Sequence, residues 1–333
     1  MTSTTPPRPV DPVAVFPELA PLARTATRLH PRPGTPSPHD SSIGGPLLWP
    51  ANEPWPHCDG DDHGPLLFPA VSLVDAQLQR RIDVASKDRA YTTEERELLA
   101  GIEELDEPEE PIAMLPVAQL YARDVPGLPA PEGADLLQVL WCPFEHDDIM
   151  PKTALFWRSA AAVTDLLLDP PKPAAVASVN YVPEPCALDP EQIIEYPEFL
   201  ELEAELRQRL NQWNMAHFPG IEDRGLAYLD QPYDSLAIAP GWKVGGWINW
   251  GLNDPFPNPC STCGTPTKPL LTIDSTEWHP DHPHWIPADN QPNISDAPHN
   301  NRTPTQIRIA DNNCQIIRVC PTSPDHPHIQ MMQ

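Results

Sequence analysis

Cations are scarce in this chain. Lys and Arg number 21 against 47 Asp and Glu, a formal net charge of −26 over 333 residues. Nucleic acid and anionic membrane surfaces both require a basic footprint, so neither is expected as a partner, whereas a basic protein is. Long apolar runs are missing too. No stretch approaches the ~20 residues of a membrane-spanning helix, and MTSTTPPRPVDP lacks the basic-then-apolar order of a signal peptide. G-x-S-x-G, Walker A, G-x-G-x-x-G and H-E-x-x-H are all absent, so no nucleophile elbow, phosphate cradle, dinucleotide turn or helical zinc pair is announced. The seven cysteines are an odd number, which rules out a complete set of intramolecular disulfides. A reducing cytoplasm is the expected compartment.

Proline is in excess, at 48 residues. That disfavours long uninterrupted helices and favours edge strands, turns and extended loops. The most informative stretch is residues 241–264, GWKVGGWINWGLNDPFPNPCSTCG, with a Gly-Gly turn, three tryptophans and the only C-x-x-C. It has a faint copy near the N-terminus. Ile43-Gly44-Gly45 with Trp49 parallels Val244-Gly245-Gly246 with Trp250, and each Trp leads through a Pro-rich run to a cysteine, Cys58 or Cys260. Strand-like runs follow in both, LLPVAQLY and PLLTIDS, then runs ending in Cys-Pro at Cys142 and Cys320. Acid and histidine come next, Glu145-His146-Asp147 and Asp325-His326. The shared order predicts an internal duplication, and with it an α+β, β-rich fold: two related β units with a few peripheral helices.

SSIGGPLLWPANEPWPHC, LLPVAQLYARDVPG, LLQVLWCPFEH, APGWKVGGW and CPTSPDHPH resemble the YwqG-like family, over most of residues 40–333 and closest to its longer actinobacterial-type members. That family has no established activity, so the resemblance implies a β-rich fold and assigns no catalytic residues. The pattern C-x-x-C-G, then PLLTI, then a strand ending in Cys is more weakly similar to the programmed cell death protein 2 family, whose members bind and escort a ribosomal protein. The first half departs from that pattern, because Cys58 stands alone.

Four segments are expected. Residues 1–39 form a disordered or extended arm, with a short helix suggested by Leu19, Leu22, Ala23 and Ala26. Residues 40–150 are the first β-rich repeat, with an acidic helical insertion at 84–111. Residues 151–239 connect the halves and carry a helix at 197–213, whose Phe199, Leu202, Leu206, Leu210 and Trp213 make one apolar face for the sheet. Residues 240–333 are the second repeat. Within the insertion, Thr92 and Glu95 read as a capping box opening a helix over 92–110, with Leu98, Leu99, Ile102 and Leu105 as its apolar stripe. EERELLAGIEELDEPEE carries nine acids and one Arg. It is either a solvated face or the contact for a basic partner.

The sharpest chemical signal is Cys260-Ser-Thr-Cys263-Gly264. C-x-x-C-G is the turn of zinc knuckles, in which Gly lets backbone N–H groups face the thiolates. A structural zinc needs four ligands. Cys320 is the expected third, and Cys314, His326 and His328 are candidates for the fourth; the bland reading is two unligated thiols on a tight loop. A thioredoxin-like role is disfavoured because Pro266 and Pro269 stand where a helix should begin. His279, His282 and His284 with Asp281, and His326 and His328 with Asp325, suggest a surface metal site, but intervening prolines prevent helical ligand spacing. The expectation is therefore a non-enzymatic, acidic protein-binding module, with structural zinc at Cys260, Cys263 and Cys320. The alternative is a metal-assisted hydrolase or other enzyme using a groove between the halves, lined by tryptophans, His146 and His326.

Overall fold

The computed structural model describes residues 3–60, 63–64, 69–106, 108, 111–146, 149–217, 232–289 and 302–333. β1 (Arg24–Arg28) and β2 (Arg32–Pro33) follow the N-terminal arm. Then come β3 (Ser42–Ile43), β4 (His57–Cys58), β5 (Val71–Ser72), β6 (Ile112–Ala113), β7 (Leu115–Tyr121), β8 (Leu136–Glu145) and β9 (Pro151–Arg158). β10 (Ala175–Val176), β11 (Cys186–Ala187) and β12 (Glu191–Glu195) lie in the middle segment. β13 (Lys243–Gly245), β14 (Lys268–Asp274), β15 (Cys314–Val319) and β16 (Ile329–Met332) close the chain.

Two six-stranded antiparallel sheets result. The first runs β2-β11-β3-β7-β8-β9 and the second β12-β1-β13-β14-β15-β16. In both, the third to sixth places are filled in chain order by the Gly-Gly strand, the two strand-like runs and a final hairpin strand. The ladders share an irregularity as well. The β7–β8 register shifts between Pro116 and Ala118, and the β14–β15 register between Pro269 and Leu271. A proline has no N–H to give the ladder, so it breaks pairing at the same strand position in each sheet. The skipped residues, Val117 and Leu270, are fully buried.

Both sheets feed one core. Ile43, Val117, Val139 and Trp141 of the first share a buried cluster with Val244, Leu271, Ile273 and Ile317 of the second. The sheet edges also meet. Thr153 on β9 donates to Gln330 Oε1 on β16 from its N and Oγ1 (3.0 and 2.9 Å), and Gln315 Nε2 donates to the Pro151 carbonyl at 2.9 Å. The fold is thus β-rich α+β, as the sequence implies.

The segment boundaries differ from those read in the sequence. β1 and β2 come from the arm, and β11 and β12 from the connecting segment, so neither stretch is a linker. β9 extends the first sheet beyond residue 150. The arm is extended but not disordered. Thr5 N donates to Glu191 at 2.9 Å, Arg8 Nε reaches the Leu236 carbonyl at 2.5 Å, and Ser3 is buried. A 3-10 turn at Pro17–Leu22 stands where a helix was expected, and Leu19 is its one buried side chain. Pro17 and Pro21 lack the N–H groups that a longer helix would need.

The helices are shorter or elsewhere. α1 (Pro12–Val15) is a single turn capped by Asp11. α2 (Leu73–Ala85), capped by Ser72, was not anticipated. It is held by Ala76 in the main core and by buried Arg80, whose Nη1 meets Glu184 Oε1 at 3.0 Å. α3 (Thr93–Ala100) has the Thr92–Glu95 capping box but ends at Gly101 and buries no side chain. Glu107, Glu109 and Glu110 lie outside the described residues. α4 (Ala204–His217) begins after a separate 3-10 turn at Phe199–Glu201. Leu202, Leu206 and Leu210 pack against Phe16, Leu19 and Tyr233 of α5 (Pro232–Ala237), so the expected apolar face meets the arm and α5.

Two candidate metal centres

Each sheet ends in a cluster of four soft donors. The second-half cluster is Cys260, Cys263, Cys320 and His326, with ligand atoms all within 4.8 Å of one another. The knuckle turn is closed by Gly264 N donating to the Cys260 carbonyl (2.8 Å) and Cys260 N donating to the Thr265 carbonyl (2.9 Å). Gly264 adopts φ +71°, a left-handed conformation suited to glycine. Cys320 follows β15 directly, and His326 lies in the turn before β16. Cys263 Sγ is 3.5 Å from Cys320 Sγ, while His326 Nδ1 is 3.3 Å from Cys320 Sγ and 3.4 Å from Cys260 Sγ. Metal–sulfur bonds of ~2.3 Å at tetrahedral angles require sulfur separations of about 3.5–4 Å, which the Cys263–Cys320 pair meets.

The local electrostatics favour thiolates. Thr265 is the main cause of the lowered Cys263 pKa, its Oγ1 lying 3.3 Å from Sγ. Desolvation opposes ionisation of Cys320, but the Thr322 amide and His326 outweigh it and bring its pKa to about 6. The hydrogen bond with Cys320 is in turn the largest factor raising the His326 pKa.

The first-half cluster is Cys58, His63, Cys142 and His146, again within 4.8 Å. β4 carries Cys58, β8 carries Cys142, and His146 follows the end of β8. Cys58 Sγ lies 3.6 Å from both His63 Nε2 and His146 Nε2, and His63 Nε2 lies 3.2 Å from Cys142 Sγ. His63 stacks on Phe144, with centroids 5.1 Å apart and planes 14° apart. Hydrogen bonding with Cys142 is the chief cause of a Cys58 pKa near 3, with burial opposing and His146 adding.

The two sets occupy corresponding places. Each takes two donors from the loop after the Gly-Gly strand, one Cys from the fifth strand or its end, and one His from the next hairpin. Cys260, Cys263 and Cys320 are brought together as expected, and His326 is the fourth donor. The other candidates are elsewhere. Cys314 sits with Ile316 and Met331, and burial raises its pKa. His328 Nε2 meets Thr153 Oγ1 at 2.9 Å. His279 pairs with Asp281 at 3.3 Å, and His284 Nε2 bonds the Ser235 carbonyl at 2.7 Å. Cys186 is a buried bystander whose pKa burial pushes up to about 12. His146 and His326, expected to line one groove, belong to different clusters.

Sequence reasoning missed the first cluster because His63 lies in a run with no recognised spacing. The shared order of features carried the signal: if Cys58, Cys142 and His146 match Cys260, Cys320 and His326, then Cys263 needs a counterpart shortly after Cys58.

Around the acidic insertion, Glu94, Glu97, Glu103, Glu104 and Asp106 are exposed, as is Leu98. Of the nearby cations, Arg89 is engaged with Glu95 at 2.5 Å and Arg96 with the Tyr91 carbonyl at 2.6 Å. Among the described residues no helix is long and apolar enough to cross a membrane. No protein-family model matches the chain. No curated protein matches it either.

Proposed function

We propose that this chain is a binding module built from two copies of one β unit, each clamped by a structural zinc ion, with an acidic face for a basic protein. The observation that carries the reading is that each donor set is complete. Four protein ligands within 4.8 Å of one another would fill a tetrahedral shell, whereas a catalytic zinc keeps one position for water or substrate. Sulfur and imidazole donors match zinc better than the hard, oxygen-seeking cations. The first centre would be held by Cys58, His63, Cys142 and His146, and the second by Cys260, Cys263, Cys320 and His326. Bound zinc would tie each knuckle-side loop to the end of the fifth strand, which is the role of a staple.

The partner assignment rests on charge and on what α3 leaves uncovered. Its carboxylates face solvent beside exposed Leu98. A basic segment with an apolar side chain among its cations complements that surface. The test has two arms. Untagged protein should contain about two zinc ions per chain by elemental analysis, one for each four-donor set; a metal-free, fully folded protein would remove the zinc reading. Partner capture from native lysate at low salt should be lost at high salt and on charge reversal at Glu94, Glu97, Glu103 and Glu104. Capture indifferent to both would remove the acidic-face reading.

A further inference from the structure

The second sheet has a cleft that runs against the charge of the whole molecule. It encloses about 600 Å³ between β1, the turn after β13, the start of β14 and the end of β15. Arg24, Lys268 and Arg318 line it, against a single carboxylate, Glu201. In a chain with 21 cations and 47 acids, such a local surplus is not what scattered surface charge produces.

The cations are arranged for use. The Arg24 guanidinium lies 3.2 Å from the centroid of the Trp247 ring. Stacking on an indole fixes the plane of the guanidinium and leaves its N–H edge free. Among the described residues neither the Arg24 nor the Lys268 side chain makes a hydrogen bond or a close ion pair, although the charges of Glu201 and Glu195 act on Arg24. Arg318 is anchored, with Nε donating to Thr267 Oγ1 (3.0 Å) and Nη2 to the Thr267 carbonyl (2.7 Å). Among the described residues its Nη1 has no such partner. Burial lowers the Arg318 pKa, with the Arg24 charge adding and Glu201 opposing. Three cations with spare donors thus line a space walled also by Trp247, Ile248, Pro266 and Pro269.

We propose that this cleft binds a small organic oxyanion, a phosphate or carboxylate group attached to a planar, apolar body. The two Arg forks and Lys268 would take the anionic group, since guanidinium pairs with either oxyanion through parallel N–H···O bonds. The Ile248 and proline walls would take the planar body. The cavity has the size of a small-molecule site and is too small for a folded domain. The proposal is independent of the acidic face and of its partner.

The test is calorimetric titration of the full chain with phenyl phosphate, phthalate and inorganic phosphate. At least one of the two aromatic anions is expected to bind saturably at one site, and more tightly than inorganic phosphate. Which one prevails tells phosphate from carboxylate. Arg24→Ala and Lys268→Ala remove side chains without internal hydrogen bonds, so folding should survive; each should weaken binding by about tenfold or more, the loss of one charge-assisted contact. Lys172→Ala, outside the cleft, should leave it unchanged. The proposal is overturned if neither aromatic anion binds, if inorganic phosphate binds equally well, or if the Arg24→Ala/Lys268→Ala double variant binds like the wild type.

Discussion

The two donor clusters occupy matching places in their sheets and differ in everything around them. In the first, Cys58 and Cys142 are part of an apolar cluster with Trp49, Trp55, Leu140 and Phe144, and His63 stacks on Phe144. In the second, Cys263 is exposed and His326 half-exposed, and the donors are three sulfurs and one nitrogen. One centre sits within the core; the other keeps Cys260 and Cys320 buried and opens to solvent at Cys263. The contrast teaches that a repeated donor pattern does not carry a repeated energetic role, because the surroundings decide how much of the fold depends on each ligand.

Buried polar groups after the two Gly-Gly turns separate the halves in the same way. In the first sheet they are neutral: Gln119 Oε1 accepts from Leu48 N (2.7 Å) and from Gln138 Nε2 (2.8 Å). In the second they are ionic: Glu195 accepts from Trp247 N (2.7 Å) and Lys243 Nζ (2.6 Å), and this ion pair is almost fully buried. Gly246 is required there, since a Cβ would stand 2.7 Å from Ala26 Cβ and φ is +74°. Nearby, burial pushes the Glu277 pKa up to about 8, with Arg28 and the Trp242 amide opposing and Asp274 adding.

The largest expected effect comes from the buried centre. Cys142→Ser should destabilise the zinc-loaded protein by about 4 kcal/mol or more, as losses of a metal site within a core do. Cys263→Ser should cost about 2 kcal/mol, because solvent can complete the shell at an exposed position. Denaturant unfolding of both variants with zinc present checks the ranking, and equal losses would break the contrast. The second effect is kinetic. Under a chelator with a colorimetric zinc readout, release should come in two phases, the fast one quickened further by Cys263→Ser and the slow one unchanged.

Third in size is a pH effect confined to the second half. The folded pKa of Glu277 is raised above its ordinary value of 4.5. Its contribution is therefore complete below about 4.5 and is lost as pH rises through about 8. Glu277→Gln should leave stability near pH 5 almost unchanged and raise it relative to wild type near pH 9. Thermal unfolding at the two pH values decides this, and a parallel offset at both would sink it. The smallest effect belongs to α3. Replacing residues 88–104 with a short linker should shift global stability by no more than about 0.5 kcal/mol, since the helix buries no side chain. A larger drop in denaturant midpoint would make the insertion part of the core.

What was legible in the residues was local. The Thr92–Glu95 cap, the Gly264 turn and the knuckle spacing each depend on atoms a few residues apart, and all three are present. The apolar stripe was legible as a pattern, and α3 buries no side chain. An amphipathic period says only that a face could be buried, and among the described residues Leu98 stays exposed. The proline breaks at Pro116 and Pro269 are likewise intrinsic, because a missing N–H cannot be restored by context.

The sequence by itself therefore determined the β-rich class, the capped helix, the glycine turns and the C-terminal donor set down to its fourth ligand among three candidates. Tertiary structure alone decided that residues 24–28 and 191–195 complete the second sheet, that the 3–11 arm is pinned along β12, and that His63 joins Cys58, Cys142 and His146. The physical reason is separation along the chain. A cap or a turn closes within three or four residues of its cause. A strand partner or a metal ligand is chosen across tens of residues, by whichever face the shared core leaves free to pair.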